Sequence, residues 1–420
     1  MIVIKPSLLR GREYLYFASL SFVILLFTLS VELYRYQSLI QFDDALREVE
    51  VLRQYEKERA GERYTVLKLR SDAGAVFYIT TRAPLKVLVG YRTKIWLSTK
   101  DLSFLEYMSG FVTRGRVLSV ERKQDDRYRL GRVLDTLHSE RPIAEVYGAL
   151  FLALPLGHRL QEQFSFLGVS HLLAISGFHL GVLSFILLLV LRYPYRLLQQ
   201  HLFPYRHGDR DLFIIVAVIL GLYLLFLGDV PSLIRAYMML LIGYLLHDRG
   251  IKVLSMQTLW VTVVLLLVLM PRLLFSLGFW LSVSGVYFIF LYLHYYKASP
   301  SWLSMLLIPL WVYLLMTPVT LLLFGNYSLY HPLSVIWSLL FTLFYPLALL
   351  LHVAGYGDLL DGLLQMVLEI ETEGVVFDLS AYWLIPYGIL ALTAQKYRMI
   401  LYLLLLLALG VTIAAVDQVA

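Results

Sequence analysis

Along the chain, apolar runs of about 18 residues or more are separated by short polar stretches, a spacing that predicts helices able to cross a hydrocarbon core. The first such helix covers residues 14–33. Beyond residue 140 the predicted membrane-embedded segments are 145–157, 166–191, 211–228, 232–247, 253–270, 273–294, 302–324, 332–353, 383–394 and 399–416. Several are too short to cross straight. The Pro155-Leu-Gly157 break and the stretch around Ser176-Gly177 predict re-entrant or broken helices, which are tolerated only where protein or water covers the freed backbone groups.

A different pattern lies between the first helix and the rest. Residues 34–62 are polar, and the Asp, Glu, Arg and Leu between Phe42 and Glu58 predict a helical connector. From residue 63 the period shortens to two: Tyr64–Arg70, Val76–Thr80, Thr93–Leu97 and Phe111–Val117 read as strands broken by Asp72-Ala-Gly74 and Gly90. About five such strands make a small closed sheet, with an OB-like barrel the economical form. Arg127 to His138 reads as an amphipathic helix lying at the membrane interface. Further on, Asp358, Asp361, Gln365 and Glu369 share one helix face opposite leucines, predicting a second surface helix. The expected fold class is a polytopic α-helical membrane protein with a small OB-like β-barrel near the N-terminus. Its expected parts are an anchor and connector (1–62), a basic barrel (63–126) and a multi-spanning domain (127–420).

Composition agrees: 59% of the 420 residues are hydrophobic and 16% charged, which excludes an ordinary soluble globular protein. The absence of cysteine excludes disulfides, thiolate catalysis and cysteine-ligated zinc. The net charge of +6 matters less than its placement. Lys5, Arg10 and Arg12 ahead of the first helix put the N-terminus in the cytoplasm and the barrel outside, the periplasmic side in a bacterium. The loop 192–210, with Arg192, Arg196, Arg206 and Arg210, and the stretch 247–252 are expected in the cytoplasm by the same rule.

Two regions carry candidate chemistry. In the barrel, Lys68, Arg70, Arg92, Lys94, Arg114 and Arg116 supply cations for phosphates, and Tyr78, Tyr91 and Trp96 supply rings for bases, a combination suited to single-stranded nucleic acid. The same rings also suit a barrel core or a membrane interface. At membrane depth, Gly168-Val-Ser-His-Leu-Leu-Ala-Ile-Ser-Gly-Phe-His179 concentrates two histidines, two serines and two glycines where polar groups need partners. A break at Gly177 would turn His171 and His179 toward each other. Ser176 with a nearby histidine also fits an intramembrane serine hydrolase, and helix packing by small residues is the bland alternative. Arg235 lies a few residues inside a predicted membrane helix opened by Pro231, either snorkelling to headgroups or facing a water-filled path. No phosphate-binding loop, Rossmann fingerprint, His-Glu-x-x-His or histidine-rich metal cluster occurs, so no nuclease, ATPase or metal motif is visible and no cofactor is expected.

His171-Leu-Leu-Ala-Ile-Ser-Gly-Phe-His179, following Ala149–Gly157, resembles the signature of ComEC-type competence proteins, the inner-membrane channels of DNA uptake in natural transformation. The resemblance continues in order through Ser232–Met238, Pro271 with Ser276–Ser282, and Thr317-Pro318 with His331-Pro-Leu-Ser334. It implies a channel passing single-stranded DNA into the cytoplasm, with His171, Ser176, Gly177, His179, Arg235 and Ser282 along the path. It also implies a periplasmic DNA-binding protein, a separate nuclease, and a cytoplasmic ATPase or single-strand-binding protein as partners. This chain departs from the family pattern at His158, Phe178 and Val335. With the chain ending at Ala420, it resembles the short form without a metallo-β-lactamase-like domain. An intramembrane hydrolase and an exporter of another polyanion remain as alternatives.

Overall fold

The computed structural model describes residues 11–419 apart from 43, 60–61, 72–75, 83–84, 87, 122–125, 229–230, 250–252, 254 and 297–299. Two compact units result. One comprises Leu9–Leu130 with Val261–Phe279, the other Gly131–Trp260 with Trp280–Ala420.

The first unit begins with α1 (Glu13–Ile40), a helix long and apolar enough to span a membrane. Five strands follow: β1 (Asp44–Arg59), β2 (Glu62–Ser71), β3 (Val76–Thr81), β4 (Arg92–Ser98) and β5 (Val112–Glu121). Every strand pairs with two others, so the ladder closes in the order β1-β2-β3-β5-β4, antiparallel except for the β3–β5 pair. Alternation dictates the inside: Val49, Val51, Leu67, Leu69, Phe77, Ile79, Ile95 and Leu97 are buried. Between β4 and β5, α2 (Phe104–Ser109) plugs Tyr107 and Met108 into that core, and its start is fixed by the reciprocal Ser103–Glu106 capping box.

The expected helical connector is wrong from residue 44 onward. Helix propensity favoured it, but β1 gains ladder partners on both edges, β2 and β4, and buries Val49 and Val51; such pairing overrides a weak local preference. The alternation Glu48-Val-Glu-Val51 was the period-two signal that composition masked. A buried ion pair ties the unit's two chain segments: Glu32 of α1 accepts from Arg272 Nη2 at 2.7 Å and Nε at 3.0 Å, and the guanidinium lies 4.5 Å from the Tyr107 ring centre.

The second unit is helical. The amphipathic α3 (Asp126–Leu137) leads into it, followed by α4 (Arg141–Leu152), α5 (His158–Phe166), α6 (Ser170–Leu173), α7 (Gly177–Leu202), α8 (Gly208–Leu227) and α9 (Pro231–Asp248). After α10 (Met256–Leu269), most of which lies in the first unit together with the start of α11 (Leu277–Tyr295), the second unit continues with the rest of α11, α12 (Ser301–Phe324), α13 (Ser334–Ala354), α14 (Asp361–Leu368), α15 (Leu384–Ala394) and α16 (Arg398–Val419). A two-strand ladder, β6 (Asn326–Tyr327) with β7 (Val375–Val376), bridges two loops.

Seven helices among the described residues are long and apolar enough to cross a membrane: α1, α7, α8, α11, α12, α13 with its preceding turn, and α16. The expected segment 145–157 is no span, because α4 stops at Leu152 and Ala153 adopts a left-handed φ of 52°. The segment 166–191 is broken, as expected, with extended backbone at Ala174 and Ser176 before α7. The loop expected at 192–210 shrinks, since α7 continues through Pro194 to Leu202. A core of Tyr147, Leu150, Phe164, Leu167, Phe341 and Tyr345, joining α4, α5 and α13, packs beneath the break.

Candidate functional site

Ser176 ends the break and opens α7. Its backbone N–H donates to Nδ1 of His179 at 3.2 Å and its Oγ lies 3.1 Å from the same nitrogen, so the histidine stands in for a carboxylate in a cap. The rest of the His179 ring is buried against Tyr345 (centroids 4.4 Å apart, 77°) and Phe341 (5.4 Å), both on α13. His171, on α6, also meets α13: its Nε2 lies 3.4 Å from Ser338 Oγ. The two histidines therefore each dock on α13 and do not turn toward one another.

On the other side, α9 closes the break. Ser232 Oγ donates to the Ile175 carbonyl at 2.8 Å, and a Cβ at Gly177 would meet Ala236 Cβ at 3.7 Å. Arg235, three residues after Ser232 and beside Ala236, shares that helix face and is 8% exposed. Gly177 is exposed and Ser176 half-buried. The structure thus gathers His171, Ser176, Gly177 and His179 with the face of α9 that carries Arg235. It leaves Ser282 apart, exposed on α11, whose polar contacts run instead to α15 and α12 through Tyr287→Ala391 and Trp311→Phe288.

A second cap of the same kind was missed. Ser328 donates its backbone N–H to His331 Nδ1 at 3.0 Å, and its Oγ donates to the Phe166 carbonyl. His331 stacks on Tyr327 at 4.7 Å and sits against Gly168, where an added Cβ would come within 3.2 Å of the His331 Cα. Gly168 has a φ of +72°, so both its backbone and its surroundings require glycine. The available signal was the spacing Ser-x-x-His, present at both 176–179 and 328–331. Each instance opens or precedes a membrane helix, the first docking on α13 and the second on the stretch Phe166–Gly168 ahead of α6.

This geometry disfavours a serine nucleophile. A general base needs its ring steered by a third group while one nitrogen faces the hydroxyl. Here Nδ1 is already occupied by Ser176's own N–H, and Nε2 has no hydrogen-bond partner among the described residues and is enclosed by aromatic rings. What the arrangement offers is a helix N-terminus and a buried guanidinium beside a break, both favourable to anions.

Apart from Tyr91, the barrel's candidates point outward, opposite their buried neighbours Leu67, Leu69, Phe77, Ile79, Ile95 and Leu97. Lys68 and Arg70 on β2, Tyr78 on β3, Arg114 and Arg116 on β5, and Trp96, Lys94 and Arg92 on β4 cover four consecutive strands of the ring. Arg116 pairs directly with Trp96 across the ladder, and Lys68 lies 5.8 Å from the Tyr78 ring centre. Tyr91 is half-buried just ahead of β4. The fifth strand, β1, carries acids: Glu48 lies 3.4 Å from Lys94 and 3.7 Å from Arg92, and Glu50 lies 3.3 Å from Arg127. Burial, then Arg53 and Arg70, push the Lys68 ammonium below the ordinary lysine range.

The Competence protein family matches residues 156–416, more than half of the chain, and spans both Ser-x-x-His caps and Arg235. The chain belongs to that family. No curated protein and no solved structure matches it. The seven apolar helices among its described residues make it a multi-pass membrane protein of the competence class, the class concerned with DNA uptake.

Proposed function

We propose that this chain is an inner-membrane channel that passes single-stranded DNA into the cytoplasm, with its barrel on the periplasmic side receiving the strand. One observation carries the reading: the break at 174–176, opening α7, is flanked by the α9 face bearing Arg235, within the stretch the Competence family matches. A half-inserted helix N-terminus and a guanidinium at membrane depth provide successive resting points for phosphates, and glycine at 177 lets the strand approach the backbone. The OB-like arc of cations and rings over β2, β3, β5 and β4 concentrates the strand by counterion release and stacking. A periplasmic DNA-binding protein, a separate nuclease and a cytoplasmic ATPase or single-strand-binding protein complete the reading.

The test follows fluorescent DNA in cells with the gene deleted and then complemented. Expected without the protein is DNA that reaches the periplasm but not the cytoplasm, with wild type restoring passage and Arg235→Ala failing to. Unimpaired passage in the deletion strain overturns the channel reading.

A further inference from the structure

Apart from the break, the helical unit holds a buried cluster built from two distant points of the chain: His138 after α3, and, on either side of one turn, His352 at the end of α13 and Asp361 opening α14. Its hydrogen-bond distances determine how many protons it holds. His352 Nδ1 lies 2.6 Å from the Ala348 carbonyl oxygen, which only accepts, so that nitrogen carries a proton. His138 Nδ1 lies 2.9 and 3.0 Å from the two oxygens of Asp361, which places a second proton between ring and carboxyl. The two Nε2 atoms are 3.2 Å apart, and two bare lone pairs repel at that distance, so a third proton lies between them. Two neutral imidazoles beside a carboxylate hold two protons. This cluster holds one more, and is neutral whichever group carries it.

We propose that His138, His352 and Asp361 form a binding site for a single proton, which latches the turn between α13 and α14 to the end of α3. Without that proton the two Nε2 lone pairs face each other, and a net negative charge is left around His138, whose side chain is fully enclosed. The surroundings provide no substitute. From α4, the Tyr147 ring covers both imidazoles at 4.6 and 4.4 Å, and its hydroxyl has no partner among the described residues. Phe151 presents an edge to His352 at 5.0 Å. Asp135 on α3, Glu140 and Arg141 at the start of α4, and Asp358 in the turn before α14 are exposed, and Glu145 pairs with Arg141. The far end of α14 is held independently, where Gln163 Nε2 donates to the Leu368 and Ile370 carbonyls. Loss of the proton therefore frees only the end at Asp361. A zinc ion between the rings would need at least a third protein ligand, and no group of three His, Asp or Glu side chains among the described residues could hold a metal.

Because the chain has no cysteine, spin labels at Ser139→Cys and Leu363→Cys, both exposed, report only on this contact in the full chain in detergent. Between about pH 5 and pH 8, the expected result is one narrow label distance in acid that gives way to a broad, longer distribution as the proton leaves. His352→Gln supplies its own N–H to His138 Nε2, so that variant should stay narrow across the range. Asp361→Asn can turn an amide N–H to His138 Nδ1, leaving the His138 Nε2–H to donate to His352, so it too should stay narrow, whereas Asp361→Leu, which removes the ring's partner, should be broad throughout. An unchanged distribution in the wild type, or the same pH response in His352→Gln, overturns the proposal. So does one equivalent of bound metal whose chelation alone opens the contact.

Discussion

The barrel and the helical unit use polar residues in opposite ways. In the barrel, most of the candidate cations and rings stand on the outer face, where water solvates them at little cost, Lys68 being a partly desolvated exception, so their number says little about any one of them. In the helical unit a serine or histidine at membrane depth is costly without a partner, and the candidates His171, Ser176 and His179 each have one, at a helix start or against α13. A polar residue is thus informative in proportion to the cost of its surroundings. The same contrast sets the scale of mutational effects: large for enclosed groups, small for outward ones.

The largest effect is expected at an enclosed charge pair of the barrel unit that joins its two chain segments. Arg272→Ala leaves Glu32, among the described residues, with Arg35 and a distant Tyr107 hydroxyl, and should cost about 3 kcal/mol in the thermal stability of the solubilised chain. Glu32→Gln with Arg272→Met should recover much of that loss. Next, Gly168→Ala forces a side chain into a left-handed backbone against His331, costing about 1–2 kcal/mol, read by the same melting measurement. Ser176→Ala removes a cap and should cost about 1 kcal/mol while DNA uptake persists. Uptake abolished with stability intact would revive the nucleophile reading.

Outward groups should act weakly and through salt. Removing Arg116 should lower the slope of log affinity against log salt by about 0.7 for single-stranded DNA, measured on the full chain. Lys68 adds a pH term. With its proton held less tightly in the fold than in the unfolded chain, raising pH toward the ordinary lysine value stabilises the fold. Over the same range single-strand affinity falls as the cation is lost, and Lys68→Arg should remove that limb.

Much of this was legible in the sequence, for physical reasons specific to each part. Hydropathy marked the spanning helices because burial in lipid admits few alternatives, and strict alternation marked β2 to β5. β1 escaped because its glutamates and leucine read as helix until two ladder partners are supplied. α7's extension to Leu202 escaped because basic residues after a proline read as loop, although Pro194 is accommodated inside the helix. His171, Ser176 and His179 were visible as a cluster, but α13, on which both histidines dock, lies more than 150 residues away. His138, His352 and Asp361 share no local pattern, so their meeting exists only in the fold. Asp361 read as part of a solvated face, and instead points at an enclosed imidazole.

The central claim is that the strand passes the break at the start of α7. In the cysteine-free chain, Ser176→Cys and, as control, Ser282→Cys can be challenged during uptake with a stalled single strand carrying thiol-reactive backbone groups. Cross-linking at residue 176, dependent on uptake conditions and absent at 282, is the predicted result. Cross-linking at 282 with none at 176, in cells that still take up DNA, would contradict it and move the path away from the break.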